Sequence, residues 1–417
     1  MKALVNSRSK TIASVFALSL SLTACVDDSG GNSTKVNADN FDFVRMLANY
    51  ADNIIIPNYQ DAAQQSAQLG DTNGAIAEYC SAIDTAQESA ALTNAQLQWQ
   101  ETMDAWQLTE LHQLGPATDN NSALRNRVLS FSRGNPLSSC GVDQATVLAS
   151  TDSSFDLASR PTNQRGLGAV EYLLFEDDLN HTCPSQIQET ADWNQRPEVE
   201  RKTLRCNYAL LLAEDVSNAA SSIAEAWATS SGNYRSTFVN PANAGSNTKA
   251  LSDALFYLDT ETKDAKLGIP LGISASCSQP ACPEVAESPY AEHSLRNIES
   301  NLNAFITLIN GGSGLGFDDI INQAGVSTVT ELLLDNTAAA LAEIDAISVS
   351  LSEQASGITS SADESACATA ADNPDGARDI PACNVYGYIR RITDTLKVGF
   401  VAAVDVDLPD RAQSDND

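Results

Sequence analysis

Arg165-Gly166-Leu167-Gly168-Ala169-Val170-Glu171-Tyr172-Leu173-Leu174-Phe175 reads as a short apolar helix that carries one acid. Leu167, Val170, Leu174 and Phe175 fall at helical spacing, so one face belongs to a core. Glu171 stands one residue from that stripe, inside the helix. An ionised carboxylate beside a core face needs a cation, a metal or several donors. The bland alternative is a boundary Glu with its head in water.

The helical period recurs outward in both directions. Asn40 to Leu69 places Phe43, Met46, Leu47, Tyr50, Ile54 and Ile55 at mostly three- and four-residue steps, with Pro57 as a break or kink. Ala75 to Thr85 is a second helical run. Thr93 to Leu114 is the clearest amphipathic helix: Trp99, Met103, Trp106 and Glu110 share a stripe, and Gly115-Pro116 ends it. Glu110 thus repeats the pattern of Glu171, an acid in line with an apolar face. Two tryptophans on one stripe are more often core than a ligand platform.

Asp119 to Gly166 is polar and reads as a long loop. Glu176-Asp177-Asp178 reads as a solvated helix end, and 181–196 as a loop. Pro197 to Thr229, Leu251 to Lys266, Ser294 to Ile309, Ser327 to Leu351 and Tyr386 to Ala403 read as helices. The glycine run Gly311–Gly316 follows no strand and ends in no Lys-Ser/Thr pair, so it is a turn and not a phosphate cradle. Residues 355–384 are polar, and the tail from Val404 is acidic. No segment alternates as a strand. The chain is therefore predicted all-α, as two antiparallel helical bundles, 39–235 and 236–417.

Composition narrows the partners. The chain has 417 residues, with 24 Lys+Arg against 54 Asp+Glu and a net charge of −30. Such a surface disfavours nucleic acid and anionic membranes. Lys2, Arg8 and Lys10, followed by the apolar run Thr11 to Leu22, make residues 1–24 a signal peptide. Leu22-Thr23-Ala24-Cys25 looks like a lipobox, so Cys25 is the expected lipidation site and the membrane a partner through that lipid. Residues 25–38 read as a tether. The expected location is the periplasmic face of the outer membrane or the cell surface. Eight further cysteines fit disulfides in an oxidising compartment. Sequence neighbours suggest Cys80–Cys140, Cys183–Cys206, Cys277–Cys282 and Cys367–Cys383, with a zinc site as the weaker alternative.

Several pieces, in order, resemble the imelysin-like family. They are Ala51-Asp52-Asn53-Ile54-Ile55-Ile56-Pro57-Asn58-Tyr59; Trp99…Trp106-Gln107-Leu108-Thr109-Glu110 with Gly115-Pro116; Arg165–Phe175; Lys266-Leu267-Gly268-Ile269-Pro270-Leu271-Gly272; Ser288-Pro289-Tyr290 through Ser294-Leu295-Arg296-Asn297-Ile298; and Gly311–Asp318. The resemblance implies a duplicated four-helix-bundle architecture and, for many members, a surface or periplasmic protein of iron uptake. The family signature is Gly-x-His-x-x-Glu. Gly166 and Glu171 match it, but Gly168 stands where the His is expected.

A His and a Glu three apart share a helix face and can share a metal; glycine has no ligand atom. The resemblance therefore implies a binding lipoprotein, with Glu171, Glu110, Arg165, His112 and His293 as candidate ligand- or metal-binding residues and none as catalytic. Arg165 is expected to pair an anionic ligand group or Glu171 itself. Lys266 is expected to cap its helix or to reach the cleft. His112 and His293 read as surface histidines at helix ends unless one moves into the site. The candidate cofactor is an iron or zinc ion, and the candidate partners are iron or haem transport components. The alternatives are a zinc-type metallopeptidase, the activity for which imelysin is named, and an interaction module with a decayed site. No Gly-x-Ser-x-Gly elbow or His-Glu-x-x-His is present.

Overall fold

The computed structural model describes residues 41–132, 135–274, 276–376 and 379–413. The signal segment and the whole tether, Cys25 included, lie outside them. The expected periodicity becomes helix throughout, and among the described residues no strand forms. The helices are α1 Phe43–Tyr50, α2 Ile56–Gly70, α3 Ala75–Ala82, α4 Glu88–Gln107, α5 Asp119–Val128, α6 Ser139–Thr151, α7 Gly166–Phe175, α8 Glu198–Trp227, α9 Tyr234–Phe238, α10 Ala244–Leu255, α11 Ser294–Asn310, α12 Phe317–Gln323, α13 Thr328–Ala346, α14 Leu351–Ser356, α15 Ser361–Asp372 and α16 Pro381–Thr395. Wider π-helical turns occupy Ala51–Ile55, Leu258–Gly268 and Leu396–Phe400. Among the described residues no helix is long and apolar enough to cross a membrane.

Two groups of four carry the core. In the first, α2, α4, α7 and α8 pack on one another around Leu69, Trp99, Val170, Leu212 and Val216, all buried. In the second, α11, α13, α16 and the Leu258–Gly268 π-helix pack around Leu267, Leu302, Phe305, Leu333 and Ile389. The groups meet where α4 lies against α11, and outside them α1 packs on α10.

Several local readings change. Pro57 does not break its helix, because the π turn just before it takes up the ring and its missing N–H. The polar stretch 119–166 is not one long loop: α5 and α6 form within it. Ser138 caps α6 by accepting from the Gly141 N–H, and Val142, Ala145 and Val147 are buried. The α5 start winds left-handed through Asn120, Asn121 and Ser122, with φ of 52°, 58° and 58°. The tryptophan helix stops at Gln107, and Glu110 falls in a 3-10 turn, Glu110–His112. The expected helix Leu251 to Lys266 divides into α10 and the π-helix. Residues 355–384, read only as polar, contain α15, closed at its start by a Ser360/Asp363 capping box.

Two of the expected disulfides are corrected. The structure joins Cys80 to Cys206 and Cys140 to Cys183, with Cα–Cα separations of 5.6 and 4.6 Å. The pairings Cys80–Cys140 and Cys183–Cys206 do not occur, because α3 lies on α8 and brings Cys80 to Cys206 instead. Cys277 joins Cys282 and Cys367 joins Cys383.

Candidate functional site

The site is built on α7. Gly166 opens that helix with φ +70°, and a Cβ there would stand 2.6 Å from the Val128 carbonyl oxygen, so only glycine fits. Trp99 Nε1 on α4 donates to the Leu167 carbonyl at 2.9 Å, and Gln96 Nε2 donates to the Leu174 carbonyl at 2.8 Å. Both ends of α7 are thereby latched to α4. Trp99 and Trp106 are both buried, as core tryptophans.

Glu171 points from α7 into a cavity lined also by Arg165, Gly168, Leu137, Glu287, Ser288 and Tyr290. It is 1% exposed. Its Oε1 accepts two backbone N–H groups, from Tyr290 and Ala291, each at 2.9 Å. These donors favour the charged form, but burial outweighs them and, with the nearby Glu287, pushes the carboxyl from the ordinary 4.5 up to about 8. At neutral pH Glu171 is therefore mainly a neutral acid that can donate as well as accept.

Below it lies an acid–base network absent from the sequence reading. Glu287 is buried and accepts from Gln107 Nε2 at 3.2 Å and Asn297 Nδ2 at 2.9 Å. Its Oε2 lies 3.0 Å from the Lys266 ammonium. That ammonium also donates to Gln107 Oε1 at 2.6 Å and Asn301 Oδ1 at 2.8 Å, so its three N–H groups are matched by three acceptors. Lys266 is 1% exposed and does not cap a helix end. The only hint of Glu287 in the sequence is its place directly before Ser288-Pro289-Tyr290, a turn whose Ser288 adopts φ +52°.

The candidates separate. Arg165 and Glu171 line one cavity, but Arg165 Nη1 donates to the Leu157 carbonyl at 3.3 Å. Glu110 lines a different cavity with Arg125, Tyr257 and Glu261. There Glu110 accepts from Trp106 Nε1 at 2.6 Å and Arg125 Nη2 at 3.1 Å. His112 is buried and not a surface residue: Nε2 meets Asn58 Nδ2 at 3.1 Å, and burial lowers its pKa to about 4. It misled because the turn Glu110–His112 folds inward where a continuing helix would have faced solvent. His293 Nε2 meets Asp104 Oδ1 at 2.8 Å. Neither histidine lines the Glu171 cavity.

A catalytic zinc ion does not fit these residues. Gly168 offers no ligand atom, Glu171 Oε1 already takes two N–H groups, and a zinc site needs three or four ligands. Among the described residues, no three His, Cys, Asp or Glu side chains gather in a metal-holding group.

The protonated Glu171 has a measurable consequence. Unfolded, this acid ionises near 4.5; folded, near 8. Between those values the folded state binds more protons, so stability falls as pH rises through the window. Glu171→Gln is always neutral and escapes that slope. Its stability relative to the parent should be greater at about pH 9 than at about pH 5, by on the order of a few kcal/mol. Urea midpoints at the two pH values check this, and a difference independent of pH contradicts it.

The family model described as Imelysin, Peptidase_M75, matches residues 55–382. Among solved structures, the fold resembles an iron-regulated protein A precursor from Parabacteroides distasonis. The TM-score is 0.58 and the identity 13%, over 87% of this chain and 94% of that one. At that identity the likeness bears on fold alone. No curated protein matches.

Proposed function

This chain belongs to the imelysin family, and from that membership we propose that it is a non-catalytic, exported lipoprotein that binds an iron species for uptake. The Glu171 cavity is its ligand site. The observation that carries this reading is the chemistry of that cavity: a carboxyl held neutral by burial, an arginine, hydroxyls and an apolar wall, with a glycine where a metal ligand would stand. Such a lining suits an iron species that brings its own ligands, chelated iron or haem, better than a bare ion. The iron-regulated name of the structural relative supports the same direction. Four disulfides suit an oxidising compartment, and Cys25 would anchor the chain by lipid, beside the membrane transport components that receive the ligand.

The family description includes a peptidase activity, which requires a metal-activated water and a general base. A peptidase assay with added zinc, run on the parent and on Glu171→Ala, separates the readings. The expected result is no cleavage above background by either protein. Cleavage by the parent that disappears in Glu171→Ala would overturn the proposal.

A further inference from the structure

The Tyr290 and Ala291 N–H groups that hold Glu171 come from a turn, 288–292, with left-handed backbone at both ends. Ser288 has φ +52° and Glu292 φ +54°. Residues other than glycine adopt this conformation at a cost, and keep it where their surroundings fix them. The start of the turn is fixed to α11, the helix that follows it. Asn297 Nδ2 donates to Ser288 Oγ at 3.0 Å, and Ser294 Oγ donates to the Glu287 carbonyl. The His293 N–H closes the turn by donating to the Ser288 carbonyl at 3.1 Å. These bonds shape the turn. They do not set its distance from Glu171, which stands on α7 in the other group of helices.

That distance needs a frame shared by α7 and the turn, and α4 is that frame. Trp99 and Gln96 tie α7 to α4. From the end of the turn, His293 reaches the same helix. Its Nε2 lies 2.8 Å from Asp104 Oδ1, and its ring stands edge-on to Trp99 with centroids 5.8 Å apart. A carboxylate only accepts, so Nε2 is the donor. The His293 side chain is 11% exposed, which leaves little room for competing water. Arg296 also reaches Asp104, at 3.2 Å, but it is half-exposed and paired with Glu299, a surface contact worth little. The Tyr290 ring meets Tyr172 of α7. That contact places the Tyr290 side chain, whereas the direction of the two N–H groups is a backbone property set at the ends of the turn.

Resting on the ligand site proposed above, we infer that His293 is a positioning residue of that site: bonded to Asp104, it holds the turn 288–292 where the Tyr290 and Ala291 N–H groups stay on Glu171. It acts through the backbone of the turn and touches no ligand.

Amide exchange followed by NMR at Tyr290 and Ala291 tests this without a ligand, with the buried amides of α8 and α13 as reference. The proteins are the full-length parent, His293→Phe, His293→Gln, Asp104→Ala and Arg296→Ala. Phenylalanine keeps a ring against Trp99 but has no Nε2; glutamine offers an amide N–H at about the same reach. The expected result is exchange at both amides at least tenfold faster in His293→Phe and Asp104→Ala, with reference rates unchanged and with His293→Gln and Arg296→Ala close to the parent. Unchanged exchange in a folded His293→Phe, or equal acceleration of the reference amides, overturns the inference. Acceleration that His293→Gln does not reverse assigns the effect to ring packing and also overturns it. Should His293→Phe fail to fold, Asp104→Ala, which leaves the ring in place, decides by the same rates. Haem titration of the same proteins then separates the two readings. Affinity at least threefold weaker in His293→Phe and recovered in His293→Gln supports both. Equal haem binding by the parent and His293→Phe, despite faster exchange, overturns the positioning role. A parent that binds no haem counts against the ligand site, while the exchange rates still decide what His293 holds.

Discussion

Lys266→Met is expected to destabilise the protein by about 3–5 kcal/mol, the largest effect of any single substitution considered. The ammonium lies at 1% exposure with three acceptors, Glu287, Gln107 and Asn301. Removing it strands the Glu287 carboxylate at 3% exposure, next to Glu171, with only amide donors left. A buried charge without its partner is far costlier than the pair is favourable. The double variant Lys266→Met with Glu287→Met should therefore recover much of the loss, because both charges leave together. Urea denaturation of the parent, both single variants and the double variant gives the coupling. Additive losses would mean that the two side chains do not form a pair. Methionine is the replacement of choice, being close to lysine in volume and flexible enough to fill the space.

The second large effect is that of the long disulfide. Cys80–Cys206 closes a loop with a sequence separation of 126, tying α3 to α8 across the first group of helices. In the chain-entropy account a loop of that length is worth about 4–5 kcal/mol, while the five-residue Cys277–Cys282 loop is worth about 2 kcal/mol. Cys140–Cys183 lies inside the long loop and shortens it slightly in the unfolded chain. Replacing Cys80 and Cys206 by serine should therefore lower stability at least twice as much as replacing Cys277 and Cys282. Denaturant midpoints of the two double variants, in oxidised protein, check the order. A reversed order would show that Cys277–Cys282 holds the site loop with energy the loop-length argument lacks.

How far the sequence was legible depends on whether a signal is local. The anchor helix, expected over Arg165–Phe175, forms over Gly166–Phe175, since its apolar density is a local property. The all-α class followed from repeated helical spacing, and the family from ordered motifs. The π-helix Leu258–Gly268 was not legible: its widened turns place Lys263 and Lys266 inside the protein, where helical spacing cannot say what they meet. The polar stretch holding α5 and α6 hid its helices because their stability comes from packing on α8 and, for α6, from the Ser138 cap, not from an apolar stripe. Disulfide partners depend on which helices become neighbours, so proximity in sequence chose wrongly for Cys80, Cys140, Cys183 and Cys206.

The site was half legible for the same reason. Glu171 and Gly168 lie on one short helix, so their relation was visible. Glu287, Lys266 and Gln107 come from a loop, a π-helix and the end of α4, and meet only in three dimensions. Glu110 shared with Glu171 an apparent pattern, an acid beside an apolar stripe. Yet the helix ends before it and turns it into a separate cavity, paired to Arg125.

The ligand proposed for the Glu171 cavity is an iron species that carries its own ligands. Calorimetric titration of the protein with haem, ferric citrate, and bare ferric, ferrous and zinc ions, alongside Glu171→Ala, is the decisive experiment. Haem or the chelate is expected to bind, with affinity falling at least tenfold in Glu171→Ala (about 1.4 kcal/mol), and the bare ions to bind weakly or not at all. Silence toward every ligand, or tight binding of a bare ion that Glu171→Ala abolishes, would contradict it.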